Sequence, residues 1–346
     1  MQVINIEKAL EMQNVVFIDV RSPSEYKEAT IYGAINIPIL DDIERAMVGT
    51  IYRMESVEQA TVEGLKYVAP KLPSIYAQIK EYSKKYDRVI IFCWRGGMRS
   101  KSTCDFLDML RITNVYQLIG GYKAYRRYVV NFLKNSIDPY QFIMLHGLTG
   151  VGKTHILERL ETIGYTVLNL ERMAKNSGSV FGDIVFEGKP PSQKMFETYL
   201  FNCLYFTKNK YIFVESESKR IGSVQVPDSI YNQMISGYHI LIHTTMNNRV
   251  EIILNDYVGT LERQDDKIKK AVHHLRKRLG NDPVDKLLKK IEQKDYISVI
   301  KYLIEYYYDP LYRYSIDKYE HYDLIIEYVN MDDAISQIIE FFTKNF

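Results

Sequence analysis

The stretch FCWRGGMRS at 92–100 places Cys93 six residues before Arg99, with Arg95, Gly96 and Gly97 between them and Ser100 closing the run. A loop that leaves a strand and enters a helix gathers backbone N–H groups into a concave anion site. Glycines let such a loop turn without Cβ clashes. A thiol at its base, beside a helix N-terminus and two guanidinium groups, is expected to titrate below the ~8.5 of a free thiol and to react as thiolate. Thiolate is the useful nucleophile, and the cradle can hold the anionic group that it attacks. Cys93 is therefore the expected catalytic residue. Trp94, Arg95, Gly96, Gly97, Met98, Arg99 and Ser100 form the expected anion loop. A core cysteine would need neither the glycine pair nor the arginines, and Cys93 is expected to be the most exposed of the cysteines.

A second loop, GLTGVGKT at 147–154, fits G-x-x-x-x-G-K-S/T. Gly147, Gly150 and Gly152 permit the turn, and amides such as that of Thr149 cradle a di- or triphosphate. Lys153 reaches the terminal phosphates, and Thr154 can hold Mg²⁺. The run FVESES at 213–218 puts Glu215 at a predicted strand end, where such domains usually carry aspartate. Glu215 or Glu217 can orient a metal or substrate, but the weak acidic motif argues against efficient nucleotide hydrolysis.

The run KIKKAVHHLRKRLG at 267–280 holds Lys267, Lys269, Lys270, Arg276, Lys277 and Arg278 without an acid. On one helix this makes a positive face able to follow a phosphate backbone. Downstream, YLIEYYYDPLYRYS at 302–315 supplies aromatics for stacking on unpaired bases. The competing readings are a solvated charged face and tyrosines that fill a core. His273 and His274 lack a third ligand, so no metal site is read there.

The elements that must position these groups alternate between strand and helix. Strands are predicted at 15–20, 89–92 and 115–120, with helices at 55–67, 74–85 and 100–110. A second series has strands at 141–146, 211–214, 238–244 and 322–329, a helical stretch at about 258–308 and a closing helix at 332–342. Such alternation implies mostly parallel sheets. The sequence NSIDPYQ at 135–141 is the predicted joint, dividing a domain of 1–137 from one of 138–346. The 346 residues suffice for two domains, and 46% hydrophobic with 25% charged residues is the composition of a folded protein. The net charge of +2 makes any nucleic-acid site a matter of local clustering. Three cysteines, an odd number without ligand spacing, point to reduced thiols. No apolar run is long enough for a membrane span and no signal-peptide layout is present, so a cytoplasmic protein is expected.

The first half resembles a rhodanese domain. DVRSPSEYKEATIYGAINIP at 19–38 carries Asp19, Arg21 and Glu25, and LIGGYKAY at 118–125 resembles the closing glycine pair. The C-x5-R loop is longer than in most rhodaneses and has the length found in related dual-specificity phosphatases, which suits a tetrahedral phosphate-like group above the sulfur. Phe92 stands where those phosphatases carry histidine. With the phosphate loop directly behind it, nearly the whole chain resembles the tRNA 2-selenouridine synthase family. The segments 44–65, 177–183, 191–197, 215–222 and 307–315 add to the likeness. KNSGS at 175–179 departs from it, lacking a histidine–arginine pair.

The resemblance implies an α/β fold with an N-terminal rhodanese-like domain and a C-terminal P-loop, nucleotide-kinase-like domain carrying a basic, aromatic helical insertion at about 258–315. It implies action on the wobble uridine of tRNA: 2-thiouridine is geranylated from geranyl diphosphate, then the geranylthio group is replaced by selenium from selenophosphate. Both donors are co-substrates; no tightly bound cofactor is implied. tRNA is the implied partner, with a selenophosphate-producing enzyme as a candidate second. It leaves open whether Cys93 carries selenium or only positions the donor. The rival readings are a phosphatase–kinase fusion using a phosphocysteine, and a nucleotide-switch module that binds a partner.

Overall fold

The structure, a computed structural model, describes residues 1–176, 186, 188–261 and 265–346, with backbone alone at 257–261, 265 and 315. The segment 177–183 and most of the 175–179 departure therefore lie outside the described residues. The chain divides into two compact units, Met1–Leu133 with Ser192–Asn202, and Lys134–Pro191 with Cys203–Phe346. The sequence assigns 192–202 to the second half; the structure groups it with the first. Phe201 packs edge-on against Tyr125 there.

The first unit is built on a parallel sheet of β1 (Gln2–Ile4), β2 (Val15–Asp19), β3 (Ile35–Asn36), β4 (Arg88–Phe92) and β5 (Val115–Leu118). Their order is β1-β5-β4-β2-β3. Val89, Ile90, Ile91 and Phe92 are all fully buried. Unbroken apolar runs of this kind mark strands covered on both faces. The predicted helices appear as Val57–Val68, Leu72–Lys85 and Met98–Met109, and a further helix, Asp42–Met54, precedes them.

The second unit carries β6 (Gln141–His146), β7 (Thr166–Leu168), β8 (Tyr211–Glu215), a small hairpin of β9 (Arg220–Ile221) and β10 (Val224–Gln225), β11 (Tyr238–Thr244) and β12 (Leu324–Tyr328). Its main sheet is parallel in the order β12-β11-β6-β8-β7. The short strands β1, β3 and β7 and the hairpin are not predicted from the sequence. Runs of two or three residues are too brief to show an alternation.

The predicted basic helix is not continuous. It forms as Asp265–His274 and Arg276–Leu279, ended by Gly280 at φ +86°. Ile268, Val272 and Leu275 point inward at helical spacing and anchor both pieces in an apolar cluster with Val284, Leu287 and Ile291. Helices Asn281–Glu292, Tyr296–Leu303 and Asp309–Asp317 complete this subdomain, the last two joined by a π turn at Ile304–Tyr308. No helix among the described residues is long and apolar enough to cross a membrane.

Candidate active site: two anion loops

Each loop follows the central strand of its own sheet. Such a position, at the carboxyl end of a parallel sheet, is where α/β folds place ligands.

In the first unit β4 delivers Cys93, and the helix Met98–Met109 begins five residues later. The tightness of this turn comes from a second glycine loop beneath it. Tyr122 N donates to Cys93 O at 2.8 Å and Lys123 N to Trp94 O at 2.9 Å. A Cβ on Gly121, at φ +56°, would lie 2.2 Å from the Cys93 carbonyl oxygen, so only glycine fits. Gln117, on β5, donates to Gly96 O at 2.7 Å. The loop is thus pinned from below while Arg95, Gly97 and Met98 stay exposed.

Cys93 itself is buried at 4% exposure, which corrects the expectation of an exposed thiol; Cys203 is the more open one. The sulfur forms the floor of the loop, 3.2 Å from Ser100 Oγ. Arg99 is half-buried and held by Glu25, at 2.6 and 3.2 Å through its two terminal nitrogens. Its guanidinium is held even more firmly in the charged form by this partner, against the cost of burial. Glu25 also accepts from Ser22 N, in the first turn of the Pro23–Glu28 helix, so the carboxylate is fixed before it meets Arg99. Asp19 and Arg21 make a fully buried pair, at 2.9 Å from Nε and 2.5 Å from Nη2, with Thr30 as a third partner. The Arg21 guanidinium lies 4.2 Å from the centre of the Tyr122 ring. Arg21 Nη2 also donates to Ala29 O at 2.7 Å, so the pair ties the end of β2 to the chain that follows the Pro23–Glu28 helix. Arg95 has no ion-pair partner among the described residues.

In the second unit β6 runs into Gly147 and the helix Lys153–Thr162 opens behind the loop. Gly152 adopts φ +71°, and a Cβ there would press on Met331 and on the Tyr328 hydroxyl. Tyr328 Oη donates to Val151 O at 3.1 Å and closes the loop from β12. Lys153 Nζ donates to Gly147 O at 2.8 Å, spanning the loop it belongs to. Burial lowers the Lys153 ammonium, opposed by Glu171, Glu217 and Glu215.

Those acids are the site's other half. Glu215, at 2% exposure, accepts from Glu171 N at 2.8 Å through Oε1, while its Oε2 has no partner among the described residues. Burial first, and the neighbouring Glu171 second, push its carboxyl up to about 8. Glu217 is pushed up for the same reasons. Both expected acids therefore face the phosphate loop, and Glu171 joins them. A helix at 170–174 gives no sequence sign of such a role, because nothing in its spacing ties it to β8. Arg249 is also unforeseen in the sequence, and Tyr312, expected there only as one of the aromatics at 302–315, is placed at the phosphate loop. Tyr312 bonds Thr149, and its ring centre is 5.8 Å from Lys153 Nζ. Arg249 Nε donates to Thr149 O at 2.8 Å.

Comparison with known proteins places this pair of loops. A model for the tRNA 2-selenouridine synthase AAA domain matches residues 140–344, and a rhodanese-like domain model matches 5–128. The chain belongs to the tRNA 2-selenouridine synthase family. A protein of that name from Hydrogenovibrio crunogenus is 31% identical over 335 residues, covering 89% of this chain and 91% of that one. Another, from Nitrosomonas europaea, is 29% identical and covers 90% and 91%. A crystal structure of an N-terminal domain from Clostridium difficile 630 matches 37% of this chain and 99% of that one, at 49% identity and a TM-score of 0.37.

As a member of this family the chain is an enzyme, with a rhodanese-like half and a P-loop half. The basic residues singled out in the sequence divide into two groups. Lys267, Lys270, Lys277 and Arg278 are exposed. Arg276 is tied to Asp285 and Asn281, and Lys269 approaches Glu292 at 3.6 Å. The run lacks acids in sequence, but the next helix supplies them in space. The tyrosines divide likewise. Tyr308 is buried in the subdomain core, and Tyr302, Tyr307 and Tyr312 pack on it. Tyr306 and Tyr314 are exposed.

Proposed function

We propose that this enzyme converts 2-thiouridine at the wobble position of tRNA into 2-selenouridine by two displacements. In the first, the thiouridine sulfur attacks C1 of geranyl diphosphate, the C–O bond breaks, and diphosphate departs held by Gly147–Thr154. In the second, selenium from selenophosphate held at 93–100 replaces the geranylthio group at C2. The observation that carries this reading is the pairing of two anion loops in one chain of this family. One has a sulfur as its floor and suits a single tetrahedral group; the other has a lysine across its mouth and suits a diphosphate.

The residues also fit a Mg²⁺ ion bound with the diphosphate. Thr154 follows the lysine on the first turn of its helix, and Glu215 has a buried, unpartnered oxygen. Such an ion would neutralise diphosphate charge. Lys153 would stabilise the charge that develops on the departing diphosphate. Lys267, Lys270, Lys277 and Arg278 would follow the tRNA backbone, and Tyr306 and Tyr314 are the aromatics available to bases. A selenophosphate-producing enzyme would supply the second donor. The three unpaired cysteines suit a reducing compartment, the cytoplasm.

The deciding experiment is mass spectrometry of wobble nucleosides after incubation with thiolated tRNA, geranyl diphosphate and selenophosphate. S-geranyl-2-thiouridine should appear first and 2-selenouridine after it. Hydrolysis of a generic aryl phosphate with no change in the nucleosides would favour a phosphatase–kinase fusion. Tight, state-dependent ATP or GTP binding with no effect on tRNA would favour a switch module.

A further inference from the structure

The polar contacts of the Cys93 sulfur bear on which atom of the selenium donor it meets. Ser100 Oγ lies 3.2 Å from Cys93 Sγ, and both residues are buried. Gln117 Nε2 donates to the same hydroxyl at 3.3 Å. A hydroxyl that accepts from an amide keeps its own proton for another acceptor. Gly97 O at 3.3 Å and the sulfur are the two within reach. A donor on sulfur stabilises the charge that the sulfur takes up whenever it is expelled as a leaving group.

The rest of the loop is built to bind oxygen. The amides of Trp94, Arg95, Gly96 and Gly97 donate to no protein acceptor among the described residues. Arg99 stands at the start of the helix, held by Glu25. In selenophosphate the phosphoryl oxygens are much better hydrogen-bond acceptors than selenium. A donor seated by its oxygens puts phosphorus over the sulfur, with selenium on the far side and pointing out of the loop. Transfer of selenium to sulfur would require the donor's weakest acceptor to occupy a cradle of N–H groups.

We propose, resting on the function given above, that Cys93 attacks phosphorus rather than selenium and that Ser100 is a second catalytic residue. The S–P bond forms as the P–Se bond breaks. The electron pair leaves on selenium, which departs with the donor's proton as hydrogen selenide. No oxidant or reductant is needed. The selenide, released at the loop mouth, displaces geranylthiolate from C2. Water then attacks the phosphocysteine, the P–S bond breaks, and inorganic phosphate leaves. Ser100 Oγ–H donates to the thiolate as it is expelled.

The test uses the full chain and selenophosphate alone, quenched rapidly, with the Cys93 peptide read by mass spectrometry. Wild type should carry one phosphoryl group on Cys93. Ser100→Ala should accumulate the same adduct, with phosphate release slowed about a hundredfold; Ser100→Thr, which keeps the hydroxyl, should restore release. Selenium on Cys93, or an unmodified Cys93 in both wild type and Ser100→Ala, would overturn the proposal. A parallel nucleoside assay separates the two ideas. An adduct without selenouridine leaves the phosphocysteine standing and sinks the functional reading. Selenouridine without an adduct does the reverse.

Discussion

Arg249 grips Asp309 with both arms of its guanidinium, at 2.9 and 2.5 Å, while its Nε holds the Thr149 carbonyl. One buried side chain thus ties the helix after the π turn to the phosphate loop. The π turn matters here. An extra residue in the turn rotates the helix beyond it, and Asp309 and Tyr312 both end up facing the loop.

Removing one partner of such a pair leaves a lone buried charge and costs about 3–5 kcal/mol. Asp309→Ala should destabilise the protein by that amount in urea unfolding and weaken geranyl diphosphate binding in calorimetry. Arg249→Met combined with Asp309→Leu should recover much of the stability but not the affinity, since Thr149 would still lack its donor. Unchanged stability in Asp309→Ala would show that the pair is no strut.

The three cysteines should separate cleanly. Cys93→Ser should abolish selenium transfer while tRNA binding and most geranylation persist. Burial pushes the Cys104 thiol up to about 12 and that of Cys203 up to about 11, so neither is ionised at neutral pH. Cys104→Ala and Cys203→Ala should keep activity close to wild type. Loss of selenouridine in Cys104→Ala would mean that a second thiol takes part.

Both loops are legible in the sequence as turns from strand to helix because their signals are local. Each is set by residues within eight positions, and the flanking strands are unbroken apolar runs. Everything that holds the loops from a distance is hidden there. Glu25 reaches Arg99 across 74 residues, and Arg249 reaches Asp309 across 60. Such pairs are fixed by packing, and no periodicity records them. The basic run shows the opposite failure. Its charges read as one continuous face, but Leu275 must be buried, and the helix breaks where that anchor turns inward.

That break sharpens the tRNA prediction. Arg276→Glu would set an acid against Asp285 and disturb the fold, so it is a poor test of binding. Lys267, Lys270, Lys277 and Arg278 changed together to Glu should weaken tRNA binding while thermal unfolding stays near wild type. Wild-type affinity should fall as salt is added, and the variant's dependence should be shallower, because fewer counterions are released. Unchanged affinity and slope would move the tRNA surface elsewhere.

Glu215 gives the second unit a pH signature. Its carboxyl is raised to about 8, chiefly by burial, with Glu171 adding to the shift and Lys153 opposing it. Between its ordinary value and about 8, the folded chain keeps a proton that the unfolded chain has lost. Stability should therefore fall as pH rises through that window. Glu217, shifted the same way, adds to the slope. Urea unfolding across this range should show the decline, and Glu215→Gln should flatten it. A slope unchanged in Glu215→Gln would show that other groups carry it.

Lys153 separates the two chemical steps. Its ammonium spans the phosphate loop and faces Glu171, Glu215 and Glu217. A hydrolytic nucleotidase must orient a water as well as hold phosphates and metal. Here the acid at the end of β8 is Glu215 in place of the usual aspartate, and its Oε1 is already engaged by Glu171 N. The loop is therefore expected to cradle a leaving diphosphate and not to drive a nucleotide motor. Lys153→Ala should block geranylation of thiolated tRNA, because the developing diphosphate charge loses its cation. Given S-geranylated tRNA and selenophosphate, the same variant should still form selenouridine through the Cys93 loop. Two results would defeat this division of labour. One is wild-type geranylation by Lys153→Ala. The other is strong tRNA-stimulated ATP or GTP hydrolysis by the wild type that the variant loses.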